Sequence, residues 1–164
     1  MSPTLAEIRI ALEGRLAEEH VELTFHAWIT AEEVADPEAG YFIPAPGGVP
    51  PPRIVLYRTH VQHPGNELDE LLTLAHEFGH YRSFAAGQRT KKYEAVLDPR
   101  DAWPTRSTEE RQLILDEEAR AWIYARSELD ALGFMDWAAF DKREVESLHQ
   151  YRLRLDLGLR GRRW

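Results

Sequence analysis

With 164 residues and no cysteine, the chain is long enough to bury one core, but it has no disulfide, no thiolate metal ligand and no cysteine nucleophile. A formal net charge of −8 and a pI near 5.4 argue against nucleic acid as the main partner, and no apolar run approaches the length of a membrane span. The expectation is a single domain over residues 1–164 in a reducing, cytoplasmic setting.

Residues 4–20 predict an amphipathic helix with Leu5, Ile8, Leu12 and Leu16 on one side. Glu7, Arg9, Glu13 and Arg15 interrupt its apolar residues, which is unlike a signal peptide. Val21 to Ile29 alternates as a strand would through Val21, Leu23 and Phe25, ahead of a turn or short helix at Thr30 to Ala35. Asp36 to Arg53 carries six of the ten prolines, so a short strand at Tyr41–Ile43 is followed by an extended loop over Pro44 to Pro52. Arg53 to Thr59 is the best strand in the chain.

Pro64-Gly65 then stops any regular element. Asn66 caps a helix with Glu67 and Asp69 in its first turn, running toward a C-terminal glycine at Gly87. Leu68, Leu71, Leu72, Ala75, Phe78 and Gly79 form its apolar face. Pro99 and Pro104 make 88–106 irregular. Ser107 or Thr108 opens a second long helix, closed by Gly133, with Ile114, Ala121, Trp122, Ala125, Leu129 and Leu132 as its stripe. A short amphipathic turn or helix at Phe134 to Phe140 precedes a last helix from Lys142 to Leu157, with Val145, Leu148, Tyr151 or Arg152, and Leu155 at helical spacing. The basic end, Arg160 to Trp164, reads as a solvated tail. The fold class is α+β, mainly helical, with a small sheet of about three strands beside the helix that starts at Asn66.

That helix contains His76-Glu77-Phe78-Gly79-His80, an HExxH sequence. Residues four apart on a helix share a face, about 5–6 Å apart at Cβ, so His76 and His80 can close on one zinc ion. Glu77 then reaches the metal-activated water rather than the metal, where a general base belongs. Gly79 is costly inside a helix, by about 1 kcal/mol relative to Ala, and close approach of another backbone would explain it. A catalytic zinc needs a third protein ligand. Positions 83 and 86 are Ser and Ala, so no third histidine follows within this segment. Glu118 falls inside the apolar stripe of the second long helix, where a carboxylate is expensive unless paired or bound to a metal. Glu117 points about 100° away, toward Leu113, Arg120 and Tyr124. Glu118 is therefore assigned as third ligand in preference to Glu117.

The run Leu72-Thr73-Leu74-Ala75-His76-Glu77-Phe78-Gly79-His80 resembles the active helix of the ImmA/IrrE family of zincin-like metallopeptidases, and Glu118-Ala119-Arg120-Ala121-Trp122-Ile123-Tyr124-Ala125 resembles its second motif. The resemblance covers roughly Val21 to Leu132. It implies a zincin-like fold of gluzincin type, with His76, His80 and Glu118 on Zn2+ and Glu77 as the catalytic base in hydrolysis of a peptide bond of an intracellular protein partner. It also implies that an edge strand beside the cleft receives the substrate; either Arg53–Thr59 or Tyr41–Ile43 could be that edge. Trp122 departs from the Asn or Asp that related gluzincins often place there, with Asp116 as a possible substitute. Asp69 or Asp116 could orient a ligand imidazole, and His60, His63, Tyr93, Tyr124 and His149 are candidate donors to an oxyanion. No helix-turn-helix segment is visible in the sequence. The competing reading is a metal-binding but proteolytically inactive domain that acts by binding a partner.

Overall fold

Short-range chemistry sets the ends of the helices. In α1 (Leu5–Glu18), the Thr4 hydroxyl accepts from the Glu7 N–H at 3.3 Å, and the Glu7 carboxylate accepts from the Thr4 N–H at 2.7 Å. Three helices close with a residue in the left-handed region, at His20 (φ 57°), Gly87 (φ 69°) and Gly133 (φ 78°). Each closure is a Schellman pair, such as Gly87 N to Phe84 O (2.9 Å) with Gln88 N to Ser83 O (3.0 Å). The structure is a computed structural model that describes residues 2–27, 40–45, 50–58, 66–89, 93 and 106–157. The expected turn or helix at Thr30–Ala35, His60, His63, most of 88–106 and the basic tail lie outside the described residues.

Three further helices among the described residues are α2 (Asn66–Ala85), α3 (Thr108–Ala131) and α4 (Trp137–Leu157). Ser107 caps α3 in a second reciprocal box with Glu110. At α4 the expectation needs correction. One helix runs from Trp137 where a short turn and a later helix were expected, because the Asp136 carboxylate accepts from the Ala139 N–H at 3.1 Å and starts it early. Phe140 is then an interior helical residue, fully buried, while Val145 is 67 % exposed and takes no part in the core.

β1 (Glu22–Ala27), β2 (Gly40–Ile43) and β3 (Arg53–Arg58) form a mixed sheet in the order β1-β3-β2. β3 is parallel to β1, with Glu22 opposite Arg53, and antiparallel to β2, with Gly40 opposite Leu56. Ile54, Val55 and Leu56 are all buried, as a central strand requires. Arg53–Arg58 is therefore not an edge; among the described residues the edges are β1 and β2. Gly40 lets β2 pass tightly over its neighbours, since a Cβ there would stand 2.9 Å from the Val55 carbonyl and 3.1 Å from Thr73 Cγ2 of α2.

The fold is thus α+β, mainly helical, with its small sheet packed against α2. α2 is more enclosed than its pattern predicts. Every residue from Leu71 to Tyr81 is buried, because β2 and β3, α1 and α3 all pack against it. The polar side chains in that stretch, Thr73, His76, Glu77 and His80, are consequently interior groups that must find partners. No helix of the described residues is long and apolar enough to cross a membrane.

Candidate metal centre

The crossing of α2 and α3 creates the site. A Cβ on Gly79 would lie 2.0 Å from the Ala121 carbonyl oxygen and 2.8 Å from its carbon. Only glycine at this position lets the two backbones touch, which is the close approach that a mid-helix glycine implied. At that distance the side chains one turn to either side interleave. His76 and His80 from α2 meet Glu117 and Glu118 from α3, all four buried.

The two imidazoles turn their Nε2 atoms to one carboxylate. His76 Nε2 is 3.1 Å from Glu118 Oε2, and His80 Nε2 is 3.5 Å from Glu118 Oε1. One ligand atom from each of the three residues can be chosen so that all lie within 4.8 Å of one another. The structure therefore brings together the three residues that the sequence assigned as ligands. Glu77, 6 % exposed, follows His76 on the same helix turn.

Electrostatics couples these groups. Burial opposes a charge on His80, but Glu118, Glu117 and Glu77 outweigh it and push the imidazole up to about 10. Burial likewise opposes ionisation of Glu118, yet His80 and His76 hold it well below the usual carboxylate range. For His76 burial dominates, and its pKa falls below the ordinary value despite Glu118. Arg143, one turn beyond Phe140 on α4, adds a positive charge that lowers it further. Without a metal, the cluster holds its proton on His80 and leaves His76 neutral.

Glu117 meets Arg120, as expected, but it also reaches the site. It does not point away from the site: it is 2 % exposed, with Oε1 3.4 Å from His80 Nδ1. Its Oε2 accepts from Ser83 Oγ at 3.0 Å and from Arg120 Nη1 at 2.6 Å. The overlooked signal was a hydroxyl on the histidine stripe, Ser83, three residues after His80 on a face with no other reason to be polar. Trp122 is buried, as its place in the apolar stripe of α3 predicts. Its ring stacks on His76 (centroids 4.5 Å apart, planes 28°) and meets Phe140 of α4 edge-on at 5.3 Å.

Other expectations fall away. Asp116 is exposed and bonded by Gln112 Nε2 at 2.7 Å, so it does not substitute at Trp122's position. Asp69 is exposed, and its backbone carbonyl accepts from Thr73 Oγ1. Tyr124 donates to Gln88 Oε1 at 3.0 Å, Tyr93 is buried in a separate cluster with Ile114 and Leu155, and His149 is exposed on α4. No family model, curated protein or solved structure matches the chain.

Proposed function

We propose that the protein is a zinc-dependent peptidase of zincin-like fold, acting on an extended segment of a protein partner in the cytoplasm. The observation that carries this reading is the buried His76, His80 and Glu118 group with Glu77 beside it on α2. Two atoms bound to one tetrahedral zinc at the usual His and carboxylate distances lie about 3.3–3.6 Å apart. The separations of 3.1 and 3.5 Å, to different oxygens of Glu118, are close to that spacing, and one atom from each of the three residues lies within 4.8 Å of the other two. Two neutral nitrogens and one carboxylate are also the donor set of a catalytic rather than a structural zinc.

When bound, zinc would bring the pKa of a coordinated water toward 7 and polarise the scissile carbonyl. The chain's own residues then have separate tasks. His76 and His80 present Nε2, which requires His80 to give up its proton. Glu118 supplies the negative charge that a dication needs in a buried position. Glu77 accepts the proton of the attacking water and hands it to the leaving amine, a role worth about 10²–10⁴ in rate. β2, an edge among the described residues, packs against α2 and is the strand beside which an extended peptide would add.

Elemental analysis of the purified protein beside Glu118→Gln and Glu77→Gln tests this, with a library of unstructured peptides read by mass spectrometry. The expected result is one zinc per chain, lost with Glu118→Gln, and cleavage that disappears with Glu77→Gln while zinc stays. Zinc without cleavage by the wild type would favour the inactive, partner-binding domain. A wild type that takes up no zinc when it is offered would sink both readings.

A further inference from the structure

Glu117 is a buried carboxylate that the proposed chemistry does not use. It sits on the far side of an imidazole from the ligand group. The two nitrogens of a histidine ring point in different directions, so a carboxylate at Nδ1 cannot share an ion with Nε2 of the same ring. Glu118 faces His80 Nε2 and Glu117 faces His80 Nδ1, so consecutive residues of α3 bracket one side chain of α2.

We infer that Glu117 is a positioning residue for the metal centre, holding His80 as the Nδ1–H tautomer with its Nε2 lone pair turned toward Glu118 and His76. This rests on the zinc reading above. Two observations on the same carboxylate and one on the helix crossing support it. Ser83 Oγ and Arg120 Nη1 both donate to Oε2, which fixes the carboxylate and leaves Oε1 for the imidazole. Arg120 neutralises Glu117, so it is a poor partner for a dication, whereas the charged partners of Glu118 among the described residues are imidazoles. The helices are clamped at Gly79 and Ala121, so the approach is set by backbone contact rather than by mobile side chains.

The two histidines are thus oriented by different means. His76 Nδ1 is buried without a hydrogen-bond partner among the described residues, and its ring stacks on Trp122. His80 has the carboxylate. A hydrogen bond at the distal nitrogen fixes the tautomer and raises ligand basicity, and losing one typically weakens metal binding 10- to 100-fold. The effect of Glu117 should fall on the His80 arm of the site alone.

The test is zinc affinity by chelator competition at pH 7 for wild type, Glu117→Gln and Arg120→Gln, with the visible spectrum of the cobalt-substituted forms. Glu117→Gln is expected to weaken zinc about 10- to 100-fold. Its cobalt band should shift yet keep the intensity of an unchanged ligand number. Arg120→Gln, which keeps the Oε1 acceptor, should stay within about threefold of wild type on the same argument. Equal affinity for wild type and Glu117→Gln would overturn the inference and leave the zinc reading standing. A cobalt spectrum showing one ligand fewer in Glu117→Gln would make Glu117 a ligand and overturn it too. No zinc on the wild type would remove the premise itself. Should Glu117→Gln fail to fold, ¹⁵N correlation spectra of the zinc-loaded wild type decide the same point. They should show a proton on His80 Nδ1 and the metal on Nε2; the reverse would overturn the inference.

Discussion

Two clusters of carboxylates lie along the same pair of helices, with Glu118 and Glu128 ten residues apart on α3, and they differ chiefly in what their positive partners are. In the inner cluster, Glu118 meets His76 and His80, with 4–8 % of these side chains exposed. In the outer one, Arg82 Nε donates to Glu128 Oε1 at 2.7 Å and its Nη1 pairs with Glu19, Arg15 pairs with Glu128, and Tyr81 donates to Glu19 at 2.9 Å. Arg82 and Glu19 there are 26 % and 33 % exposed. A guanidinium cannot give up its proton and so can never become a ligand. An imidazole can, and so it can exchange its proton for a metal. The outer cluster can only tie α1, α2 and α3 together; the inner one can hold an ion.

The contact that both clusters depend on is the sharpest place to break this picture. Gly79→Ala would drive a methyl group into the Ala121 carbonyl, a backbone atom that cannot rotate away. The expected loss is about 4 kcal/mol or more, at the extreme end of single substitutions, read by urea denaturation, with zinc uptake lost as well. A cost below about 1 kcal/mol would mean that the helices do not meet here, and the geometry of both clusters would have to be redrawn.

Next in size are changes within the inner cluster. In the metal-free protein, Glu118→Gln leaves a buried imidazolium without its main partner, at a cost on the order of 3 kcal/mol. The pH dependence follows from the directions of the shifts. His80 is raised from 6.5 to about 10, so its contribution is fully present below pH 6.5 and is lost as pH climbs toward 10. Glu118 is lowered from 4.5, so its contribution is present above that pH and is lost only on strong acidification. His76, also lowered from 6.5, weakens the fold in acid, because the unfolded chain takes up a proton that the folded chain refuses. The melting temperature of the metal-free protein should therefore fall between pH 6.5 and 10, and Glu118→Gln should flatten that slope. Zinc should raise the melting temperature most at the alkaline end of this window, where no proton competes for His80. A metal-free protein that melts at one temperature across the window would contradict the His80–Glu118 pairing.

The inner cluster was more legible than its surroundings, for reasons visible in particular residues. His76, His80 and Glu118 could be grouped because i, i+4 spacing and a carboxylate in an apolar stripe are both local patterns. Gly79 could be read as a close approach because its helix penalty needs a reason. Glu117 was misread because angular position on a helix wheel describes Cα, and a glutamate side chain is long enough to reach around a ring once the helices touch. The burial of α2 on all sides was missed for a related cause: Thr73, Glu77 and the histidines look like a solvent face until tertiary partners are known. The start of α4 was misjudged at Asp136, whose capping role was overlooked in favour of a break after Phe140. The central place of β3 depends on pairing between distant strands, which no single segment encodes, although its run of Ile54, Val55 and Leu56 agrees with burial on both faces.

The smallest expected effect belongs to the outer cluster, and it separates the two regions most cleanly. Glu128→Gln removes the carboxylate that Arg15 and Arg82 share. Those guanidiniums are a quarter or more exposed, so water can take over much of the lost interaction. The cost should be about 1 kcal/mol at low salt and smaller at high ionic strength, because partly exposed pairs are screened. Zinc affinity should be unchanged, since Glu128 touches none of the ligand group. If Glu128→Gln weakened zinc as much as a change at Glu117, the two clusters would act as one electrostatic unit. The division between a clamp built on guanidinium and a centre built on imidazole would then fail. A stability loss that fades with salt, at constant zinc affinity, would support that division and place the site's electrostatics within one turn of Gly79.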